Sequence, residues 1–298
     1  MSKMLLYFVL FPTLIAAQIK GRVIDEHGDP IAYVNIFPES GNDGFSAEAD
    51  GTFSIPNHKP DEKFTFSAVG FKTITLQGID VNEVVMWDET VKLREIVVGK
   101  AKRKRSKQID KFGTSGIRVY INQTAGKVFN PDEKSEYPFL TEVTFNSKSE
   151  ISGAKVNIRI MSVNENGEPD LDLVAKNIIA SVPKGDRKTT VNIAEFNIEI
   201  PQNGIFVAIE PLKIKENLYT TVVVYESISG DKKTREVSVQ QPYFGFLPSD
   251  ENNTWYLTSK WSKRSRHKVD DSGSLSNVMM RKYHDKFLES TISITISN

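Results

Sequence analysis

Cysteine is absent from the 298 residues of this chain. Its absence excludes disulfide bonds, thiolate nucleophiles, zinc–thiolate sites and iron–sulfur clusters. It also excludes a lipid-anchored cysteine behind an N-terminal leader. The chain has no excess of charge either, since 38 Lys and Arg balance 38 Asp and Glu. A protein that binds nucleic acid through bulk positive charge is therefore not expected.

Histidine is scarce as well, with four in the chain. None of His27, His58, His267 and His284 begins the His-x-x-Glu pattern with which a zinc carboxypeptidase holds its metal. The Gly-x-Ser-x-Gly pattern of a serine hydrolase is also missing. These patterns predict no enzyme activity, no cofactor and no metal site.

Carboxylates are the remaining catalytic candidates, because a glycosidase needs two of them in fixed positions. Glu195, Glu199 and Glu210 lie on strand-like segments, and Glu210 follows an apolar run. The favoured interpretation of Glu210 is a rim position or a cross-strand partner of Lys or Arg. A hydrolase whose carboxylates are not located stays an alternative.

Long apolar runs are confined to the N-terminus, which reads MSKMLLYFVLFPTLIAAQIKG. A basic residue, a short apolar stretch and two small residues are typical of a signal peptide over residues 1–17, cut between Ala17 and Gln18. A membrane anchor or a buried first strand is the alternative. No later apolar run approaches the length of a membrane span. We expect an exported protein that is periplasmic, associated with the outer membrane, or at the cell surface or secreted.

Helical periodicity is weak throughout, and residues 279–288 are the best helix candidate. Runs rich in Val, Ile, Thr, Phe and Tyr, broken by Gly, Asn, Asp and Pro, predict strands instead. In the segment Val156–Ile160 the apolar residues alternate with Asn157 and Arg159, which predicts one core face and one solvated face. The sequence predicts an all-β protein: a small transthyretin-like β-sandwich, then a larger jelly-roll-like β-sandwich.

A strongly basic block separates the two predicted domains. Six of the eight residues in 100–107 are Lys or Arg, and such a block cannot be buried. We predict a signal peptide at 1–17, a β-sandwich at 18–98, a basic linker at 99–111 and a second β-sandwich at 112–298. Contact of the linker with anionic lipid is the alternative to a solvated hinge. Residues 262–277 are a predicted loop, and 290–298 a strand that closes a sheet.

The segment EADGTFSI, Glu48–Ile55, raises the question of a turn or an ion site. Asp-Gly before an alternating run favours a tight turn, because Gly51 accepts positive φ without a Cβ clash. A calcium site is the alternative, although calcium prefers more closely spaced acidic residues. The oxygen ligands of that alternative are Glu48, Asp50, Asn42 and Asp43.

The spacing of motifs in residues 18–98 resembles the carboxypeptidase-regulatory-like domain. The resemblance is carried by Gly21, Val23, Asp25, Gly28, Pro30, Ile31, Val34, Ile36, Asp50, Gly51, Phe53, Ile55, Phe66, Ala68, Gly70, Phe71 and Lys72. It implies a transthyretin-like, prealbumin-type sandwich that serves as an accessory module without a catalytic domain. The segment LREIVVGK resembles a segment that often follows this module in TonB-dependent transporters of Gram-negative bacteria. The expected partner is an envelope protein or glycan, to which the resemblance adds a TonB-linked transporter system.

Three aromatic residues in the second predicted domain are candidates for a ligand platform. Trp255, Tyr256 and Trp261 cluster in sequence, and exposed aromatic faces can stack on sugar rings. Core packing is the favoured interpretation for all three, and the ligand platform is the alternative. The main hypothesis is a non-enzymatic exported envelope protein that binds a protein or ligand. A carbohydrate-binding accessory protein is the first alternative, and a hydrolase is the second.

Overall fold

The computed structural model describes residues 18–40, 44–56, 59, 61–78, 81–89, 104–121, 123–226, 230–258, 260–269 and 280–298. Ala17, residues 42–43, the LREIVVGK segment and part of the predicted basic linker lie outside this set. The described residues form strands joined by turns and short 3-10 helices, so the all-β prediction is confirmed.

The first region contains short strands that build two sheets. They are β1 Ile19–Ile24, β2 Asn35–Pro38, β3 Phe45–Ser46, β4 Thr52–Ile55, β5 Lys63–Ser67, β6 Ile74–Gln77 and β7 Glu83–Val85. One sheet has the order β4-β1-β7, and the other has the order β3-β2-β5-β6. Strand β1 pairs antiparallel with β4 and parallel with β7.

An apolar core lies between these two sheets because alternate residues of the strands point inward. Its members include Val23, Val34, Ile36, Phe53, Ile55, Phe64, Phe66, Val84 and Met86. Phe53 packs edge-to-face on Phe66, with ring centroids 5.7 Å apart. This region is a small β-sandwich.

The Asp-Gly turn precedes β4, as the sequence predicts. Gly51 has a φ of +77°, and the carboxylate of Asp50 accepts hydrogen bonds from the Thr52 amide at 3.0 Å and hydroxyl at 2.6 Å. These bonds lower the pKa of Asp50 below its usual value. Phe53 and Ile55 then share one buried face of β4. The segment EADGTFSI is therefore a turn that feeds a core strand.

The second region holds the remaining strands. They are β8 Ser106–Ile109, β9 Ile117–Val119, β10 Thr124–Phe129, β11 Phe139–Ser149, β12 Ala154–Val163, β13 Pro169–Asp172, β14 Ile178–Val182, β15 Gly185–Asn192, β16 Ile198–Glu199, β17 Ile205–Pro211, β18 Leu218–Glu226, β19 Lys232–Gln240, β20 Tyr243–Ser249, β21 Thr254–Leu257, β22 Trp261–Lys263, β23 Phe287–Ser290 and β24 Ile292–Ser297. Short 3-10 helices occur at Asp132–Ser135, Ala194–Phe196, Lys215–Asn217 and Arg281–Tyr283.

Two large sheets form the body of this region. Within the described residues a seven-stranded sheet runs β13-β12-β17-β10-β21-β22, and β14 also pairs with β12. An eight-stranded sheet runs β23-β20-β11-β24-β8, with β15 and β16 on β11 and β9 on β20. One hydrophobic cluster draws on both sheets, including Val156 and Val207 from the first and Val143 and Ile294 from the second. This arrangement is a β-sandwich.

Some local expectations hold and others need correction. The final segment forms β24, which pairs with β11 and β8, so it does close a sheet. The helix considered for residues 279–288 is wrong, because the chain forms a short 3-10 helix and then β23 there. The later part of the predicted linker forms β8, since its backbone pairs with β24.

Strand β12 corrects a second expectation. Val156, Ile158 and Ile160 face the core, as predicted. The predicted solvated residues Asn157 and Arg159 are also buried, at 0% and 7% exposure. Alternation alone could not reveal this, because the outer face of the strand is covered by other segments of the chain.

The first region and the second region meet through hydrogen bonds. The Ser46 hydroxyl accepts a bond from the Lys213 amide at 3.0 Å. The Glu48 carboxylate accepts from the Lys215 amide at 3.1 Å and 3.3 Å. In addition, Asn177 Nδ2 of the second region donates to the Ala32 carbonyl of the first region at 3.1 Å. We call this set of contacts the junction.

Strands β18 and β19 form an antiparallel hairpin that pairs with no other described strand. Val222 and Val224 of β18 are 62% and 66% exposed. None of the helices among the described residues has the length and apolar character needed to cross a membrane.

Candidate ligand-binding cleft

A cleft lies beside the junction, between the four-stranded sheet of the first region and the outer face of the seven-stranded sheet. It consists of two adjoining cavities of about 340 Å3 and 420 Å3. The larger part of the first cavity's wall comes from Arg159, Met161, Asp170, Leu171, Asp172, Leu257, Thr258, Lys260 and Trp261. The opposite wall comes from Phe37, Thr65, Ser67, Ala68, Phe71, Thr73 and Glu89. Both regions are needed to build this site.

Trp261 is the largest aromatic side chain of the cleft. It begins β22, and Leu257 of β21 lies opposite it in the antiparallel register. Its ring meets Phe206 edge-to-face, with centroids 4.8 Å apart. Because this packing fixes the ring while the side chain stays half-buried, Trp261 presents a pre-positioned apolar surface to the cleft.

Trp255 lies on the same sheet face as Trp261 but does not line the cleft. The two residues belong to the same outer cluster, which includes Met161 and Phe206. Lys263 lies opposite Trp255 in the register, and its Nζ stands 5.0 Å from the centre of the Trp255 ring. The ammonium group therefore occupies the face on which a ligand would stack.

Tyr256 points to the other side of the sheet. It is 4% exposed, and its ring stacks on Phe246 with centroids 6.5 Å apart. Its hydroxyl donates to the Leu288 carbonyl at 3.3 Å, and burial raises its pKa to about 12. The structure thus brings Trp255 and Trp261 to one face, places Tyr256 in the core, and leaves Trp261 to line the cleft.

An ion pair forms part of the cleft floor. Arg159 donates to Asp172 through Nε at 3.2 Å and through Nη2 at 2.6 Å. Their side chains are 8% and 16% exposed. A bidentate pair at this depth is geometrically fixed, because neither group can move without losing a charged hydrogen bond.

Glu210 lies behind this pair and does not line the cleft. Its Oε1 accepts from Asn157 Nδ2 at 3.3 Å, and its Oε2 lies 4.0 Å from Arg159 Nη1. The Asn35 side chain of the first region lies close enough to lower the pKa of Glu210. Burial raises the pKa of Glu210, and the Arg159 charge offsets this only in part, since Arg159 is engaged mainly by Asp172.

The carboxylates considered for catalysis do not come together. Glu195 lies on a 3-10 helix and Glu199 on β16 of the eight-stranded sheet, and both are exposed. Glu210 lies on β17 of the seven-stranded sheet and is 2% exposed. A raised pKa suits a general acid, but the covered Glu210 carboxyl has no route to a substrate in the cleft.

Among the described residues, no group of three or more His, Asp or Glu is placed so that it could hold a metal ion. The calcium alternative concerned Glu48 and Asp50, whose carboxylates accept hydrogen bonds from Lys215 and Thr52 respectively. Asn42 and Asp43 lie outside the described residues.

The basic segment also has partners where it is described. The amides of Lys104 and Arg105 both donate to Asn298 Oδ1 at 3.1 Å. Arg105 pairs with Glu136 at 2.8 Å, and Lys107 pairs with Glu133. These residues are therefore attached to the second sandwich.

Comparison with known proteins identifies one part of the chain. Residues 19–98 match the CarboxypepD_reg-like domain. This confirms the family resemblance found in the sequence for the first predicted domain. The CarboxypepD_reg-like domain thus supplies one wall of the cleft, namely Phe37, Phe71 and their neighbours on the four-stranded sheet.

Two solved structures show a distant likeness. A DUF3823 family protein from Bacteroides ovatus ATCC 8483 is 11% identical, with 76% of this chain and 98% of that chain covered and a TM-score of 0.19. A DUF3823 family protein from Parabacteroides merdae ATCC 43184 is 13% identical, with 66% and 98% covered and a TM-score of 0.19. Likeness at this level carries no argument about function. No curated protein matches the chain.

The cleft contains residues that sequence reasoning missed. The sequence places Arg159 on a solvated strand face and indicates Phe71 only through the family resemblance, and it singles out neither Phe37 nor Asp172. Local patterns cannot show that two separate sheets will face each other. The one available signal was Asn35, a polar residue in the middle of the apolar run AYVNIF.

Proposed function

We propose that this protein is a non-enzymatic binding protein of the cell envelope of a Gram-negative bacterium. It is exported through its N-terminal leader and acts in the periplasm, at the outer membrane or at the cell surface. The CarboxypepD_reg-like domain and the β-sandwich behind it together hold a ligand. An envelope protein or glycan, or a TonB-linked transporter system, is the proposed partner.

The composite cleft is the observation that supports this proposal. Its first cavity, of about 340 Å3, lies within the size range of small-ligand sites. It combines fixed aromatic rings with charged and hydroxyl side chains, as binding sites commonly do. The Arg159–Asp172 pair and the Phe206–Trp261 contact hold two parts of the wall in place before a ligand arrives.

Carbohydrate binding is the second candidate, and one observation favours it. Trp261, one of the three aromatic residues singled out in the sequence, lines the cleft together with carboxylates of β13. Trp255 and Tyr256 stabilise the fold by packing, because Lys263 covers the Trp255 ring and the core surrounds the Tyr256 ring.

A thermal-shift screen tests the binding proposal. The chain from Gln18 onward is melted with a panel of envelope glycans, peptides and small metabolites. We expect at least one compound to raise the melting temperature of the wild type but not of Trp261→Ala. Trp87→Ala is the matched control, because Trp87 is 49% exposed and does not line the cleft. Ligand effects that survive in Trp261→Ala would place binding elsewhere, and turnover of a panel compound would contradict a non-enzymatic role.

A further inference from the structure

The cleft is longer than a single compact ligand requires. Its two cavities share Phe37, Thr65 and Thr258 in their linings, so they adjoin, and we call the two together the groove. Each cavity alone, at about 340 Å3 and 420 Å3, lies in the range that accommodates a drug-sized molecule. A groove of this extent suits a chain-like ligand whose units occupy successive positions.

The groove offers apolar and hydroxyl surfaces side by side. Aromatic rings come from Phe37, Phe71 and Trp261, and hydroxyls from Thr65 and Thr258. The Thr65 hydroxyl also hydrogen-bonds with that of Thr75 at 3.0 Å, which continues the hydroxyl surface into the second cavity. A sugar ring has an apolar C–H face and a rim of hydroxyls, so it matches both kinds of surface at once.

The charges of the groove argue against an anionic ligand. Its cations are Lys63, Arg159 and Lys260, and its anions are Glu39, Glu89, Asp170 and Asp172. Asp172 already neutralises Arg159 through two hydrogen bonds. Phosphorylated or polyanionic ligands need a net positive surface, which this lining does not provide.

The floor of the groove can recognise hydroxyl groups. The Arg159–Asp172 pair presents a donor group and an acceptor group in fixed relative positions. Asp170, which lies on β13 together with Asp172, adds an exposed carboxylate. Fixed donors and acceptors at this spacing can bind neighbouring hydroxyls of one sugar unit, whose orientation they then select.

We propose that the groove binds a linear, uncharged oligosaccharide, with one sugar unit on Trp261 and further units running past Thr65 towards Thr75. This inference rests on the proposed function and names the class of its ligand. An extended peptide is the competing occupant, because the edge strands β6 and β13 also border the groove.

Isothermal titration calorimetry with neutral gluco-, manno-, galacto- and xylo-oligosaccharides tests the proposal. For at least one series we expect affinity to rise from the monosaccharide to about the tetrasaccharide and then to level off. Trp261→Ala should weaken binding by about tenfold, and Asp170→Asn should weaken it by a smaller factor. Trp87→Ala, whose side chain does not line the groove, should bind as the wild type does.

The outcomes separate this inference from the function on which it rests. If no neutral series binds, but an extended peptide or an anionic ligand does and Trp261→Ala abolishes that binding, the sugar proposal is overturned and the cleft remains a binding site. If neither sugars nor peptides nor anionic ligands bind, both proposals are overturned. Binding of sugars without any dependence on chain length contradicts a ligand that spans both cavities of the groove.

Discussion

The two regions of the chain differ in where they bury polar side chains. In the CarboxypepD_reg-like domain the buried polar residues among those described are Asn35 and Ser46. Both face the second region, where Asn35 lies close enough to Glu210 to lower its pKa and Ser46 accepts from the Lys213 amide. The second region buries the ionisable residues Lys127, Arg159 and Glu210. Lys127 pairs there with the more exposed carboxylates of Asp110 and Glu289. The first domain is therefore folded by an apolar core of its own and positioned by polar contacts.

Removing one large core side chain from each region gives the largest expected effect. Phe66 and Ile294 are both fully buried, in separate hydrophobic clusters. We expect Phe66→Ala to lower the free energy of unfolding by about 3–5 kcal/mol and Ile294→Ala by about 2–5 kcal/mol. Because the junction couples the regions, calorimetry should show one transition that both variants shift to lower temperature.

The exposed Val224→Ala is the control for this pair and should leave the transition unchanged. Two separate transitions, each moved by only one of the core variants, would mean that the junction does not couple the regions.

The turn before β4 gives the next largest effect, and it is confined to the first domain. Gly51 has a φ of +77°, and a Cβ there would lie 2.5 Å from the Val23 carbonyl oxygen. Gly28 has a φ of +87° with no atom within 4 Å of such a Cβ. We expect Gly51→Ala to cost about 2 kcal/mol or more, and Gly28→Ala about 1 kcal/mol, in urea unfolding. Equal losses would show that the close approach to Val23 is not what requires glycine.

The junction itself is expected to contribute less than either core. Ser46→Ala removes the hydroxyl that accepts from the Lys213 amide, and Asn35→Ala removes a polar neighbour of Glu210. Each should lower the free energy of unfolding by about 1–3 kcal/mol. Ser54→Ala removes an exposed hydroxyl that bonds with Gln18 and should change stability by less than about 0.5 kcal/mol. If Ser46→Ala lowers the free energy of unfolding no more than Ser54→Ala does, the junction does not stabilise the folded chain.

Glu210 gives a smaller effect with a defined pH dependence. Burial raises its pKa above the ordinary 4.5, so the folded state keeps the proton to a higher pH than the unfolded chain does. The contribution of Glu210 to the free energy of unfolding is therefore lost as the pH rises from the pKa of the unfolded chain through the pKa of the folded state. Glu210→Gln removes the titration, so its melting temperature relative to the wild type should increase from acid to neutral pH.

The exposed Glu195→Gln is the matched control for the loss of a carboxylate. A difference between Glu210→Gln and the wild type that stays constant with pH, or that decreases towards neutral pH, would contradict the assigned cause of the shift.

Much of the fold could be predicted because local signals and tertiary structure agree there. The turn at Asp50–Gly51 and the inward pair Phe53 and Ile55 follow from the residues alone. The same holds for the three apolar residues of β12 and for the closing strand β24. Disagreement arose at Asn157 and Arg159, which look solvated in a period-two pattern but lie under other segments of the chain.

The cleft could be predicted only in part. Trp261 could be predicted as a candidate from the sequence, because an aromatic cluster in polar surroundings is typical of a ligand-binding surface. Its separation from Tyr256 follows from β alternation, which places neighbouring residues on opposite faces of a strand. The opposing wall, with Phe37 and Phe71, depends on how two sheets are placed, and short-range patterns do not contain that information.

The most direct test of the account is a disulfide engineered across the junction. The chain has no native cysteine, so Ser46→Cys with Lys213→Cys provides a single possible pair. Because Ser46 Oγ lies 3.0 Å from the Lys213 amide nitrogen, mild oxidation should form this bond within the monomer, as seen by mass spectrometry and by gel mobility without reductant. The exposed pair Ser54→Cys with Lys213→Cys should remain reduced. Equal oxidation of the two pairs would contradict the specific approach of the two regions at the junction, and with it the cleft beside that junction.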